Sequence, residues 1–259
     1  VVAEDKDSVP YKKNIIQGSN FKNYIYKVQH NFLPYDKVEV FFFNPLNKTL
    51  KIKINDEVIT VSNTAIPTIS AIKNVGAKVK FVDVCNDYLI DTEDLKKKIT
   101  SKTKAIIVVH LYGQSCDMTK ICAIAKKNRI KIIEDCAQAH GAKHKGINVG
   151  NFGDIGCFSF YPTKNLGSYG DGGFLTTKKL SLYQKMRRIR FYGIEQLKPK
   201  NKFNKKYYSF EDGINSRLDE IQSSILNLKI KYLKNNIKKK QKIANIYDEN
   251  LNLKNFQVF

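Results

Sequence analysis

With 259 residues, 42% of them apolar, the chain has the composition of a globular protein and enough length for one large domain, alone or with a small appendage. Five cysteines without a Cys-x-x-Cys pair argue against a disulfide framework or a zinc site, and no signal pattern or membrane-length apolar run is visible, so a soluble protein of the reducing cytoplasm is expected. A formal net charge of +21 raises nucleic acid as a partner, but the lysines are spread along the chain and are read as a solvated basic surface.

The first fifty or so residues read as β-rich. Strand patterns at 24–28, 37–43 and 49–54 are separated by the turn residues Pro34 and Asn44-Pro45. From Asp56 onward short β-branched runs alternate with helical patterns. Strands are expected at 57–61, 78–83, 105–109 and 130–134, and helices at 64–74, 92–99 and 117–127. Asp91-Thr92 is a helix start and Asn128 a stop. Single helices between nearly continuous apolar strands imply βαβ units and a mainly parallel sheet covered on both faces. The expected organisation is a β-rich segment over 1–55 and an α/β domain over 56–259. Near the C-terminus Leu218, Ile221, Ile225, Leu228 and Tyr232 step by three and four, the pattern of a buried helix face. Ser216 reads as that helix's N-cap with Asp219 at the capping-box position, and the lysines between Lys229 and Lys242 fall on its polar face.

Two segments carry chemistry. Asp135, in Glu134-Asp135-Cys136-Ala137-Gln138-Ala139-His140, ends a strand, and the carboxyl ends of parallel strands form the rim where ligands bind. Lys164 lies in Ser159-Phe160-Tyr161-Pro162-Thr163-Lys164-Asn165-Leu166-Gly167, flanked by small, aromatic and hydroxyl residues, a setting that suits a nucleophilic amine. Ser159 follows an apolar strand, so its hydroxyl could donate to a phosphate without adding charge. The cluster Gly170-Asp171-Gly172-Gly173 allows close backbone approach. His140, and likewise His110 and Tyr112 at another strand end, are expected to be structural.

The order and wording of these segments, with Val61-Ser62-Asn63-Thr64-Ala65-Ile66-Pro67-Thr68 upstream, resemble the pyridoxal-phosphate-dependent sugar aminotransferases of the DegT family. The nearest likeness is to members that aminate a nucleotide-linked 3-keto-6-deoxyhexose. The resemblance implies a fold type I large domain, with pyridoxal 5'-phosphate held by Lys164, Asp135, Gln138, Ser159 and Asn215. Lys164 would bond the cofactor and move the proton, while Asp135 would pair with the pyridine nitrogen. Gln138 would lie by the phenolic oxygen and Ser159 by the phosphate, and Asn215 would reach the phosphate of a dimer partner. The implied reaction moves an amino group from L-glutamate to a dTDP-linked sugar in surface-polysaccharide biosynthesis. Where relatives carry a Gly-Thr-Asp helix start this chain has Asn44-Pro45-Leu46-Asn47-Lys48-Thr49, and Ala65 stands where many stack an aromatic ring. The family's small C-terminal domain is absent from the sequence, which suggests a truncated chain. Two other readings stay open: an inactive paralogue that binds a full-length aminotransferase, and a basic nucleic-acid binder. Deoxygenating relatives have histidine in place of the lysine, so Lys164 argues against that chemistry.

Overall fold

The computed structural model describes residues 24–28, 49–194 and 208–250 of the chain. Its main sheet has seven strands: β1 (Tyr24–Val28), β2 (Glu57–Val61), β3 (Lys78–Val82), β4 (Thr103–Val109), β5 (Lys131–Asp135), β8 (Ile155–Ser159) and β9 (Gly173–Thr177). A two-residue pair, β6 (Lys143–His144) and β7 (Ile147–Asn148), forms a separate hairpin. The helices are α1 (Ile66–Asn74), α2 (Thr92–Lys98), α3 (Met118–Asn128), α4 (Leu180–Ile189) and α5 (Glu220–Asn250).

The strand order is β1-β9-β8-β5-β4-β2-β3. Strands β3, β2, β4, β5 and β8 run parallel; β9 returns antiparallel beside β8. Strand β1 closes that edge, antiparallel to β9, so part of the 1–55 segment and the following region share one sheet. The expected mainly parallel α/β architecture is therefore the observed one.

Period-two alternation divides the strand side chains between two cores. Val58, Ile107, Ile133, Ile155 and Leu175 pack with Ala71 and Ile72 of α1 and Met186 of α4. Their neighbours Ile59, Ile106, Val108 and Ile132 pack instead with Leu95 of α2 and Ile121 and Ala125 of α3. Each fully buried isoleucine or leucine contributes roughly 1.5–3 kcal/mol, so the central strands are fixed from both sides.

Local signals set the helix ends. Asp91 accepts from the Glu93 and Asp94 N–H groups at 2.7 and 3.3 Å, and the acidic first turn and lysine-rich last turn of α2 complement the helix dipole. Asp117 caps α3 through the Lys120 N–H, and Arg129 ends it in the left-handed conformation after Asn128.

Three expectations are corrected. Thr49 and Leu50 are helical and 51–56 forms a turn, with Lys51 and Asn55 at φ 61° and 69°, so 49–54 is not a strand. The apolar β-branched composition there is overridden by this reversal into β2. The last helix begins at Glu220, four residues after Ser216, whose hydroxyl is buried without a hydrogen-bond partner among the described residues and caps nothing. The buried face of that helix is also different. Leu226 is fully buried with Phe160 and Leu166, and Leu218, Ile230 and Leu233 pack beside them. Ile221, Leu228 and Tyr232 are 72%, 58% and 56% exposed. Two apolar stripes share this helix, and the loop after β8 selects one of them. The strand expected at 37–43 and the segment 44–48 lie outside the described residues.

Candidate active site

The site lies along the carboxyl ends of β4, β5 and β8, with the start of α1 leaning over them. Asp135, the last residue of β5, is buried. Its Oδ1 accepts from the Ala137 N–H at 3.1 Å and its Oδ2 from the Thr68 hydroxyl at 3.1 Å. Burial pushes the carboxyl above the usual range; those two donors and the Lys164 charge pull it back. Lys164 thus acts electrostatically on Asp135 although it lies 29 positions further along the chain, and the same amine acts on His140. Lys164 therefore lies near enough to both Asp135 and His140 for its charge to act on them.

Ser159 ends β8 and is buried. Its oxygen accepts from the Tyr161 N–H at 3.2 Å, which leaves the hydroxyl proton to donate elsewhere. Gln138 is oriented by the Tyr112 N–H, which donates to its Oε1 at 2.8 Å and leaves the amide NH₂ as the outward donor. That contact requires Tyr112 at φ 55°, an uncommon conformation for a tyrosine, held in the turn between β4 and α3. The Tyr112 ring itself is exposed.

His110 has a structural role, as expected. Its Nδ1 accepts from the Cys116 N–H at 3.2 Å, so Nε2 carries the proton and donates to Glu134 at 3.2 Å. Glu134 also accepts from the Gly150, Phe152 and Gly153 N–H groups at 2.7, 2.7 and 2.6 Å. His110, Glu134 and Cys136 offer ligand-type atoms within 4.8 Å of one another, but the imidazole and carboxylate are already engaged by protein. His140 differs: it is buried between the Phe158 and Phe160 rings, and neither ring nitrogen has a hydrogen-bond partner among the described residues. The Ser159 backbone favours the charged ring without reaching hydrogen-bond geometry. Burial, then the Lys164 charge, push His140 down to about 4.

The Lys164 loop is folded tightly and held from outside. Gly167 packs where a Cβ would lie 2.3 Å from the Pro162 carbonyl oxygen, so only glycine fits. Ser168 binds back to the Phe160 carbonyl at 2.7 Å through its hydroxyl. Helix α5 then grips the loop: Lys229 Nζ donates to the Gly167 carbonyl at 2.7 Å and lies 4.4 Å from the centre of the Tyr169 ring. Gln222 accepts from the Tyr169 N–H at 2.8 Å, and Lys240 Nζ donates to Asn165 at 2.5 Å.

Asn215 is not part of this group. It is exposed and forms an isolated bridge with Phe191, on a segment tied to the end of α4 by the Ile214 N–H to the Ile189 carbonyl. No described contact joins it to Asp135, Gln138, Ser159 or Lys164. Thr68, by contrast, was not singled out from sequence, although it touches the central carboxylate. Only its place in the Val61 to Thr68 run hinted at it.

The chain is 49% identical over 201 residues to dTDP-3-amino-3,6-dideoxy-alpha-D-galactopyranose transaminase of Aneurinibacillus thermoaerophilus, a match covering 77% of this chain and 53% of the relative. It is 45% identical over 198 residues to dTDP-3-amino-3,4,6-trideoxy-alpha-D-glucose transaminase of Micromonospora megalomicea subsp. nigra, covering 76% and 51% respectively. The chain therefore spans about half the length of the curated relatives it matches. A crystal structure of a DegT DnrJ EryC1 StrS aminotransferase from Brucella abortus superposes with a TM-score of 0.77 at 32% identity, over 87% of this chain and 58% of that one. The profile of the same family matches residues 46–258, so the β5 rim, the lysine loop and the helix that clamps it all fall inside one recognised unit: the chain belongs to the DegT/DnrJ/EryC1/StrS aminotransferase family.

Proposed function

We propose that this chain forms the large domain of a sugar aminotransferase that transfers an amino group from L-glutamate to a dTDP-linked 3-keto-6-deoxyhexose. The observation that carries the reading is the Lys164 amine acting on the buried Asp135 carboxylate at the strand rim. The substrate class follows the activities for which the two transaminase relatives are named.

The residues present fit the family's cofactor, pyridoxal 5'-phosphate. A desolvated carboxylate, a hydroxyl with a proton to give and an amide donor are the partners that a pyridinium nitrogen, a phosphate and a phenolic oxygen require. Asp135 would hold the ring nitrogen, Ser159 the phosphate and Gln138 the phenolic oxygen. When bound, the cofactor supplies an electron sink for the carbon that loses or gains the amino group. Lys164 Nζ would hold its aldehyde and would be the base that takes and returns the proton. An ionised Asp135 would keep the proton on the ring nitrogen it faces. Glu134 and His110 act at a distance by fixing the end of β5.

The proposal includes a β-rich segment over 1–55, a large domain over 56–259, a homodimer in which the exposed Asn215 contacts the partner's phosphate, and a cytoplasmic location. No helix among the described residues is long and apolar enough to cross a membrane.

Pyridoxal phosphate added to the purified chain is expected to produce a visible absorbance band and, after borohydride reduction, a pyridoxyl group on the peptide carrying Lys164. Lys164→Ala is expected to abolish both. A chain that takes up no cofactor, or is labelled only at surface lysines, would refute the enzyme reading and leave the binding-partner one.

A further inference from the structure

Two hydroxyls stand between solvent and the buried carboxylate. Thr68 Oγ1 lies 3.1 Å from Asp135 Oδ2 and 2.9 Å from Thr64 Oγ1, and Thr68 is 1% exposed. An ionised carboxylate can only accept, so the Thr68 proton points at Asp135. Its oxygen is then free to accept from Thr64, which donates inward. The chain Thr64 to Thr68 to Asp135 thus has one direction, and each donor polarises the next.

The fold builds this contact for a reason that backbone geometry makes plain. Thr68 is the third residue of α1, where the first-turn N–H groups lack helical partners and the chain has just left β2. Ala65 offers α1 no side-chain cap, so the threonines do not serve the helix end: Thr68 reaches past β4 to the end of β5.

We propose that Thr68, oriented by Thr64, is a positioning residue for Asp135: it fixes the aim of Oδ2 and supplies the side-chain hydrogen bond that keeps the carboxylate ionised in a site closed to water. The inference rests on Asp135 being the carboxylate that faces the cofactor ring. The other groups acting on Asp135 are the Ala137 N–H, the Lys164 amine from the β8 loop, and His110 from the end of β4. Cys136 and Cys157 lie against it, and burial raises both thiols well above their usual range, so they remain uncharged. Thr68 is the neutral donor whose removal changes no formal charge, which makes its contribution separable.

The test uses cofactor-free full chain with ¹³C-labelled aspartate, the Asp135 carboxyl signal being assigned by its loss in Asp135→Asn. Thr68→Val, a near-isostere without the hydroxyl, is expected to move the Asp135 titration upward by about one pH unit. Thr64→Val is expected to move it in the same direction by less, and Thr68→Ser to restore it. In the loaded protein, Thr68→Val is expected to weaken pyridoxal phosphate binding roughly tenfold, with Thr68→Ser near the parent. An Asp135 titration that is the same in Thr68→Val and the parent, both folded by circular dichroism, would overturn the proposal. So would a shift that Thr68→Ser fails to reverse. Should Thr68→Val not fold, Thr68→Ala carries the same readout. Failure of the parent chain to bind cofactor would refute the aminotransferase reading while leaving the titration result intact, so the two failures are distinguishable.

Discussion

His140 enters the folded chain as a neutral ring, and this makes it a pH liability. Its unfolded value is near 6.5 and its folded value about 4, because burial and then the Lys164 charge oppose the imidazolium. Between those values the unfolded chain binds the extra proton. The contribution is therefore fully present above about 6.5 and is lost as pH falls toward 4. Stability is expected to drop by about 2 kcal/mol between neutral pH and about pH 5, measured by urea unfolding. His140→Phe, which keeps the packing against Phe158 and Phe160, is expected to flatten that dependence. An unchanged slope would show that the ring is not the titrating group. Asp135 shows the opposite condition: a raised buried carboxyl favours the folded state where it is protonated, and its hydrogen-bond donors offset part of that shift.

At the level of elements, strand ends deliver the residues and turns lock them. Glu134 points away from the rim while its neighbour Asp135 points into it, as strand alternation requires. Its carboxylate gathers three backbone N–H groups of the 150–153 turn and the His110 ring, so it ties β5 to the segment that leads into β8. Glu134→Gln puts an NH₂ against those donors. A loss of about 3 kcal/mol in unfolding free energy is expected by urea denaturation, with weaker cofactor uptake as a consequence. A change under about 0.5 kcal/mol would mean that the turn does not depend on the carboxylate. Helix α5 plays the corresponding part for the lysine loop, through Gln222, Lys229 and Lys240. Two lysines of the basic run therefore bond the loop that carries Lys164, the half-buried Lys229 and the exposed Lys240, while the rest of the run is a solvated face.

For the whole molecule, α5 leaves much apolar surface unburied. Ile221, Leu228, Tyr232, Ile243, Ile246 and Tyr247 are all exposed on this 31-residue helix, of which Ser223 and Leu226 are the residues classed as buried. Contiguous apolar surface of this kind marks an interface. In the proposed homodimer it is the surface to test. Leu228→Glu combined with Tyr232→Glu is expected to shift sedimentation from dimer to monomer without loss of helix content. A parent chain that sediments as a monomer would remove the dimer from the proposal. The net charge of +21 adds self-repulsion that falls with salt, so the dimer is expected to strengthen as ionic strength rises.

The amino-acid sequence by itself determined the succession of strands and helices from Glu57 to Asp135, because each apolar run, cap and turn residue acts within a few neighbours. It also marked Asp135, Gln138, Ser159 and Lys164 as candidates, since strand ends and the motif wording are local properties. Two things were decided only by tertiary structure. The Thr68 hydroxyl reaches Asp135 across 67 residues of sequence, a contact that depends on α1 being packed over the sheet. The choice of Leu226 over Leu228 as the buried face of α5 depends on where the lysine loop rests, because a helix with two apolar stripes has no preference until a neighbour covers one. Periodicity reports that a face can be buried; only the packed neighbour determines which.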